Sequence, residues 1–555
     1  MSDAALLRVD ALTIGFGART TVDDVSFEIA RGRCLGIVGE SGAGKTQIFL
    51  ALMGLLPDTA RIAGRAWLGE TELIATGARE VRGRRIAMIF QDPMTALTPH
   101  LAVGDQVAES LVVHRGQSWR EARAEAVRLL DQVRISEAAR RARQYPHELS
   151  GGMRQRATIA MALAGDPELL VADEPTTALD VSVQAGILAL LRQLIAERSM
   201  SLAVVTHDMG VISALADDVL VMRDGRGVER GDVTTLLKAP RHDYTRALLA
   251  ATPRLDEPLP PTRSPSVAPS SPTDAGSAAP LSARHVGVSF RIPRGLFRTR
   301  EFRAVEDVSL DVAPGEALGI VGESGSGKSS LVRALMRLGD PARGEIVWLG
   351  RAVHELAGEE LRRLRDRAQI VFQDPFASLD PMMTVADIVA EPLRALRPAM
   401  SREERAARVA TLLDAVGLDA GYLARRSREL SGGQNQRVAI ARALAPEPKL
   451  LICDEAVSAL DVSIQAQVLQ LLGRIRRERG TSLVFVSHNL AVVRRLCDRV
   501  LIMRAGRVVE SGPVAELFSA PRDPYTRLLL ESVPRLDPAT ERARLAALQD
   551  EPAAR

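Results

Sequence analysis

Gly39-Glu-Ser-Gly-Ala-Gly-Lys-Thr46 and Gly322-Glu-Ser-Gly-Ser-Gly-Lys-Ser329 decide how this 555-residue chain reads. Each follows a short apolar run, Cys34-Leu-Gly-Ile-Val38 or Ala317-Leu-Gly-Ile-Val321, with the length and near-continuous apolarity of a strand buried on both faces. Glycines between a strand and a helix let successive backbone N–H groups turn toward one point, and the helix N-terminus adds partial positive charge. The pattern is a phosphate cradle built from Gly39, Glu40, Ser41, Gly42, Ala43, Gly44, Lys45 and Thr46. Its second copy is Gly322, Glu323, Ser324, Gly325, Ser326, Gly327, Lys328 and Ser329. Composition supports the reading over an inconsequential glycine turn. The chain has four lysines among 72 basic residues, and two of them are Lys45 and Lys328. If arginine served equally there, the coincidence would have a chance on the order of 0.3%, because a compact ammonium fits where a planar guanidinium does not.

Working outward, other landmarks repeat in register. Ile89-Phe-Gln-Asp-Pro93 returns as Val371-Phe-Gln-Asp-Pro375, and Glu148-Leu-Ser-Gly-Gly152 as Glu429-Leu-Ser-Gly-Gly433. Asp173-Glu174 returns as Asp454-Glu455, His207 as His488, and Tyr244-Thr-Arg246 as Tyr525-Thr-Arg527. The offset runs from 283 to 281, so the chain is a duplicated domain of roughly 250 residues, each copy with its own core. Expected boundaries are 5–255 and 281–536, a Pro/Ser-rich linker at 256–280 too poor in apolar residues to fold, and a charged tail at 537–555 that is either loose or a frayed helix. Ser118-x-x-Glu121 and Ser401-x-x-Glu404 are capping boxes that open a helical insertion in each copy. Val409, Leu412, Leu413 and Val416 follow at helical spacing.

Charge and cysteines narrow the class. The net charge is +3, so no global basic excess marks a nucleic-acid binder. Cys34, Cys453 and Cys497 form neither a disulfide framework nor a metal spacing, and a reducing compartment is expected. The N-terminus has no signal-peptide layout, and no run of about 18 apolar residues spans a bilayer.

The acidic pairs close buried strands beside the phosphate loops, which suits one carboxylate to Mg²⁺ and the next to an attacking water. A solvated acidic turn is the plain alternative, and it explains one such pair more easily than two at matched distance from a loop. Leu149-Ser-Gly-Gly and Leu430-Ser-Gly-Gly place their serines 24 residues before Glu174 and Glu455. With these residues the chain resembles the ATP-binding-cassette (ABC) transporter ATPases, over both copies. The resemblance implies an α/β fold of two P-loop NTPase domains, each a mainly parallel core sheet with an antiparallel β part and a helical subdomain.

It also implies ATP and Mg²⁺ as cofactors and a head-to-tail pairing of the cassettes within one chain. Site one would join Lys45, Thr46, Gln91, Asp173, Glu174 and His207 to Ser431, Gly432, Gly433 and Asp461. Site two would join Lys328, Ser329, Gln373, Asp454, Glu455 and His488 to Ser150, Gly151, Gly152 and Asp180. By resemblance Glu174 and Glu455 are the catalytic bases, His207 and His488 contact the γ-phosphate, and Gln91 and Gln373 join the metal or its water. Thr46, Asp173, Ser329 and Asp454 complete the metal set, and Ala178-Leu-Asp180 and Ala459-Leu-Asp461 link the sites. A lone histidine is more often structural, but each of these ends a buried strand 33 residues beyond its glutamate. Phe16 and Phe290 are candidates for stacking on adenine.

Two departures stand out: Met153 replaces the usual glutamine after Ser-Gly-Gly, and Ala456-Val457 replaces Pro-Thr after Glu455. Neither removes a catalytic group, so both sites are expected to hydrolyse ATP. The Tyr-Thr-Arg endings, each followed by Pro-Arg-Leu, resemble the dipeptide/oligopeptide/nickel import branch, including its fused glutathione-type members. The tyrosine reads as a packing anchor for a C-terminal helix and as a mark of kinship. The implied machine is peripheral to the cytoplasmic face of the inner membrane, working with two integral-membrane permease subunits and an external solute-binding protein, and with no nucleic acid. Met94-Thr-Ala-Leu97 and Phe376-Ala-Ser-Leu379 are candidates for permease docking. The rival class, soluble tandem ABC proteins acting on ribosomes or nucleic acid, tends to carry a charged helical linker or zinc cysteines, and neither is present here.

Overall fold

In the computed structural model, residues 5–75, 78–177, 179–257, 279–294, 298–339, 343–457 and 460–550 are described. Most of the expected linker, Ala178, Ala459 and the last five residues lie outside them. The chain divides into two compact units, one of Met1–Thr252 with Pro534–Arg555 and one of Pro253–Val533.

The first unit has two sheets. The central strand Cys34–Val38 is wholly buried, as apolar residues on both faces require. It lies between Asp218–Arg223 and Ser201–Thr206, with Leu169–Asp173 and Ile86–Ile89 beyond. All five run parallel, and Arg226–Asp232 closes the far edge antiparallel to Asp218–Arg223. The second sheet is antiparallel, in the order Arg19–Ala30, Ala5–Phe16, Ala60–Leu68 and Thr71–Glu72. The core fills the space beside the helix Lys45–Leu52. There Phe27 and Phe49 pack with ring centroids 6.3 Å apart at 59°, an arrangement worth about 0.5–1.5 kcal/mol beyond its buried area.

The second unit repeats this plan, with the six-stranded order Ala368–Val371, Leu450–Asp454, Ser482–Val486, Ala317–Val321, Arg499–Arg504 and Arg507–Pro513. Its antiparallel sheet carries the buried Trp348, whose indole N–H donates to the Leu335 carbonyl at 2.9 Å. The fold class read from the sequence therefore holds in both units.

Helical insertions follow the edge strands at Val103–Arg115 and Trp119–Gln132, and at Val385–Leu396 and Arg402–Ala415. Both capping boxes form: Ser118 accepts from the Glu121 N–H, Ser401 from that of Glu404, and each glutamate accepts from the serine N–H in return. Val409, Leu412, Leu413 and Val416 are all buried. Cys34, Cys453 and Cys497 are buried and form no disulfide. No helix among the described residues is long and apolar enough to cross a membrane.

The tail is helical, as one of the two expectations had it, but docked rather than frayed. Pro538–Asp550 is a helix of the first unit, packed on Val181–Arg198 and Met209–Leu215. Leu545 and Glu541 are fully buried there, and Glu541 is paired with Arg544. Arg542 donates to the Ala216 carbonyl and pairs with Asp217. A segment whose buried side holds a charged pair lacks a clean apolar stripe, so its charge count suggested solvent exposure.

Candidate functional site

Each phosphate loop joins the central strand to a helix that begins at its lysine. The glycines are structural necessities. Gly44 has φ 90°, and a Cβ there would lie 2.5 Å from the Thr21 carbonyl oxygen; Gly327 has φ 99°, and its Cβ would lie 2.2 Å from that of Ala304. Gly39 and Gly322 sit so close to the Met222 and Met503 carbonyls that any side chain collides. Gly42 and Gly325 also take positive φ. Lys45 is buried and folds back over its loop, donating to the Gly39 and Glu40 carbonyls, both at 2.8 Å. Lys328 does the same to Gly322 at 2.7 Å and Glu323 at 2.9 Å.

The next residue reaches across to the acidic pair. Thr46 Oγ1 donates to the Asp173 carboxylate at 2.9–3.0 Å, and Ser329 Oγ to Asp454 at 3.4 Å. Burial pushes Asp173 up to about 6, with the Thr46 hydrogen bond opposing and the Glu174 charge assisting. Burial, then the Glu455 charge, pushes Asp454 up to about 6. For Glu174 burial again acts upward, but the hydrogen bond and charge of His207, aided by Thr177, outweigh it and bring the carboxyl down to about 2. Glu455 is likewise lowered, burial being outweighed by His488 and Lys328. Adjacent carboxyls driven in opposite directions are suited to different tasks.

The side chains expected beside Glu174 converge on its carboxylate. Gln91 Nε2 donates to it at 2.8 Å, His207 Nδ1 lies at 3.0 Å and Thr177 Oγ1 donates at 2.9 Å. Gln373 donates to Glu455 at 2.9 Å, and His488 Nδ1 lies 3.5 Å away. Sequence reasoning missed Thr177, and it missed the backbone of both glutamates. Glu174 and Glu455 each have φ 47°, and their N–H groups donate to Val205 and Val486 at 2.7 and 3.1 Å. Non-glycine residues held in the left-handed region gather where the structure over-determines a functional group. The visible signal was a glutamate directly ending a buried strand.

The serines of the two Leu-Ser-Gly-Gly signatures are helix caps. Ser150 is the N-cap of the helix Gly151–Leu163 and accepts from the Met153 N–H at 3.4 Å. Ser431 caps Gly432–Leu444 and accepts from Gln434, whose side chain returns a bond to the Ser431 N–H at 3.0 Å. Met153 cannot return that bond, so the departure costs half a capping box. Gly152 is required by Val183, whose Cγ1 would lie 2.5 Å from a Cβ; Gly151 and Gly433 face looser contacts with Leu179 and Leu460, and Gly432 with Phe376. Asp180 and Asp461 are the N-caps of Val181–Arg198 and Val462–Arg479. The other departure is accommodated by packing, since Ala456 and Val457 are buried.

Phe16 packs against the first core, while Phe290 is 46% exposed. The proposed docking segments form one-turn helices, Pro93–Ala96 and Pro375–Ser378, capped by Asp92 and Asp374. They leave Met94 and Phe376 exposed and bury Leu97 and Leu379.

The ABC transporter family model matches residues 22–177 and 305–458. The model for the oligopeptide/dipeptide transporter C-terminal region matches 228–278 and 509–555. The glutathione import ATP-binding protein GsiA of Escherichia coli (strain K12) is 46% identical over 577 aligned positions, covering 98% of this chain and 92% of that protein. Its namesake in Salmonella typhimurium is 46% identical over 575 positions with the same coverage. Among solved structures, the dimeric post-hydrolysis state of the ATP-binding cassette MJ0796 bound to ADP and Pi is 31% identical. It covers 42% of this chain and 98% of its own, with a TM-score of 0.40.

Proposed function

We propose, from the premise that this chain belongs to the ABC transporter family, that it is the ATP-hydrolysing subunit of an importer for peptides or similar small solutes such as glutathione. The observation that carries this reading is a pairing found twice: an ABC cassette followed by an oligopeptide/dipeptide transporter C-terminal region. The 46% identity to glutathione import subunits over nearly the whole chain supports it.

The site chemistry supports hydrolysis in both cassettes. Lys45 and Lys328 present ammonium groups at the loops, where the β- and γ-phosphates of ATP would be held. Thr46 with Asp173, and Ser329 with Asp454, are all-oxygen donor sets that fit Mg²⁺, leaving the remaining positions to phosphate oxygens and water. Mg²⁺ bound there would neutralise charge on the phosphates. Glu174 and Glu455, held ionised, would accept a proton from the attacking water. Gln91 and His207, or Gln373 and His488, keep that carboxylate oriented. In this reading the ATP on each loop is completed by the signature of the other cassette. A Ser431→Arg variant that still hydrolyses at full rate would contradict that pairing.

The partners proposed are two integral-membrane permease subunits, which would hold the chain at the cytoplasmic face of the inner membrane, and an external solute-binding protein. The exposed Met94 and Phe376 support a docking role for the segments after Gln91 and Gln373. Affinity purification from membranes tests the whole reading. Recovery of permease subunits is expected, whereas sedimentation with ribosomes and no membrane partner would overturn it.

A further inference from the structure

The Tyr-Thr-Arg motif does more than seat a helix. Tyr244 is buried, and its hydroxyl accepts a hydrogen bond from the backbone N–H of Glu40 at 3.2 Å, across 204 residues of chain. Tyr525 repeats this on the Glu323 N–H at 3.1 Å. Glu40 and Glu323 are the second residues of the phosphate loops. Their carbonyls share Lys45 Nζ and Lys328 Nζ with those of Gly39 and Gly322. One residue is thus gripped on both sides, by tyrosine at its N–H and by the phosphate-loop lysine at its C=O.

The ring of each tyrosine and the turn that leads into its helix are both braced. Arg223 lies over the Tyr244 ring at 5.1 Å and Arg504 over that of Tyr525 at 4.8 Å, which suits a cation on a π face. Those arginines end the strands whose Met222 and Met503 carbonyls press on Gly39 and Gly322. Glu229 accepts from the Arg241 and His242 N–H groups at 2.7 and 3.1 Å, which pins the turn into the tyrosine's helix. Glu510 holds Arg522 and Asp523 at 2.9 and 3.1 Å. Arg246 braces the same turn through the Pro240 and Arg241 carbonyls, and Arg527 through those of Pro521 and Arg522. Thr245 and Thr526 are fully buried.

We propose that Tyr244 and Tyr525 are positioning residues of the nucleotide sites, through which the C-terminal region of each cassette sets the phosphate loop and the resting place of its lysine. The inference rests on the loops being the ATP sites, and its test separates the two. Tyr244→Phe and Tyr525→Phe keep the ring and remove only the hydroxyl. The full-length variants are titrated with ATPγS by calorimetry and assayed for ATP turnover, and their nucleotide-free melting midpoints are recorded. Loss of one hydrogen bond in this setting predicts weaker binding at the altered site by about 2- to 10-fold, with a matching rise in KM for ATP and little change in kcat. The nucleotide-free melting midpoint is expected to stay near wild type.

Wild-type protein that binds no nucleotide would instead defeat the reading of the loops. Variants that bind like wild type, or that melt earlier with unaltered affinity, would reduce the tyrosine to packing and overturn the proposal. Should a variant fail to fold, amide hydrogen exchange on the wild-type chain decides the point. Slow exchange at Glu40 and Glu323 without nucleotide is expected, and free exchange there overturns it.

Discussion

His207 Nδ1 lies 3.0 Å from one oxygen of Glu174 while Gln91 Nε2 donates to the other at 2.8 Å. Glu455 has the corresponding residues, but Gln373 at 2.9 Å and His488 at 3.5 Å both approach the same oxygen. A carboxylate held this way, on a residue already in the left-handed region, is aimed before substrate arrives. Replacing it by the isosteric amide preserves the shape and removes the proton acceptor. Glu174→Gln and Glu455→Gln are each expected to remove at least about half of the phosphate release at saturating ATP. The double variant is expected to lose about 100-fold or more. Near-wild-type turnover in either single variant would mean that its site is idle.

The loop glycines make a sharper demand. A Cβ at Gly44 would sit 2.5 Å from the Thr21 carbonyl oxygen, and one at Gly327 would sit 2.2 Å from that of Ala304, each at a φ that disfavours side chains. Gly44→Ala or Gly327→Ala is expected to cost about 1–3 kcal/mol locally, taken from the loop rather than the core. Binding of a fluorescent ATP analogue at that site should fall away while far-ultraviolet circular dichroism stays unchanged. Intact binding would show that the loop relaxes around the methyl.

Met153 offers a gain. Gln434 completes a capping box with Ser431, and Met153 leaves Ser150 with only the forward half. Met153→Gln is expected to stabilise the first cassette by about 0.5–1 kcal/mol, seen as a higher urea midpoint. Gln434→Met should lose a similar amount. Equal midpoints would show that solvent already serves the Ser150 N–H.

These cases show what could be read from residues alone. Loops, acidic pairs, caps and buried strands depend on side chains a few positions apart, so their logic is local and was legible twice over through the repeat. The convergence of Gln91, His207 and Glu174 needed three strand ends brought side by side, which the repeat implied but did not display. The Tyr244 hydroxyl was illegible, because its partner is a backbone N–H 204 residues away and carries no side-chain signal. The docking of the tail helix was illegible for a related reason. Glu541 is fully buried against Arg544, and Arg542 finds Ala216 some 326 residues earlier. Charge predicts exposure only when no partner waits.

That buried pair can be tested. Arg544→Ala would leave Glu541 buried without its guanidinium, a loss of about 3–5 kcal/mol if the helix stayed in place. With only the Arg535 N–H left to it at 3.0 Å among the described residues, the buried carboxylate favours release of Pro538–Asp550 from the first cassette. Limited trypsin digestion should then remove the tail early, with the cassettes intact. A tail cut no faster than in wild type would show that the other contacts suffice.

The glutamates that pin the tyrosine turns should also leave a pH signature. In Glu229 and Glu510 burial acts to raise the carboxyl, but the neighbouring Thr245 or Thr526 hydroxyl and two backbone amides outweigh it and lower each one. A depressed folded value means that the ionised form belongs to the folded chain. Its contribution is complete above the ordinary carboxylate range and is lost as pH falls through that range toward the folded value. The double variant Glu229→Gln/Glu510→Gln should therefore melt below wild type at pH 7, and the gap should narrow as the buffer is taken to pH 4 and below. Thermal melts across that interval provide the check. A gap constant with pH would assign the loss to the shape of the turns rather than to their charge.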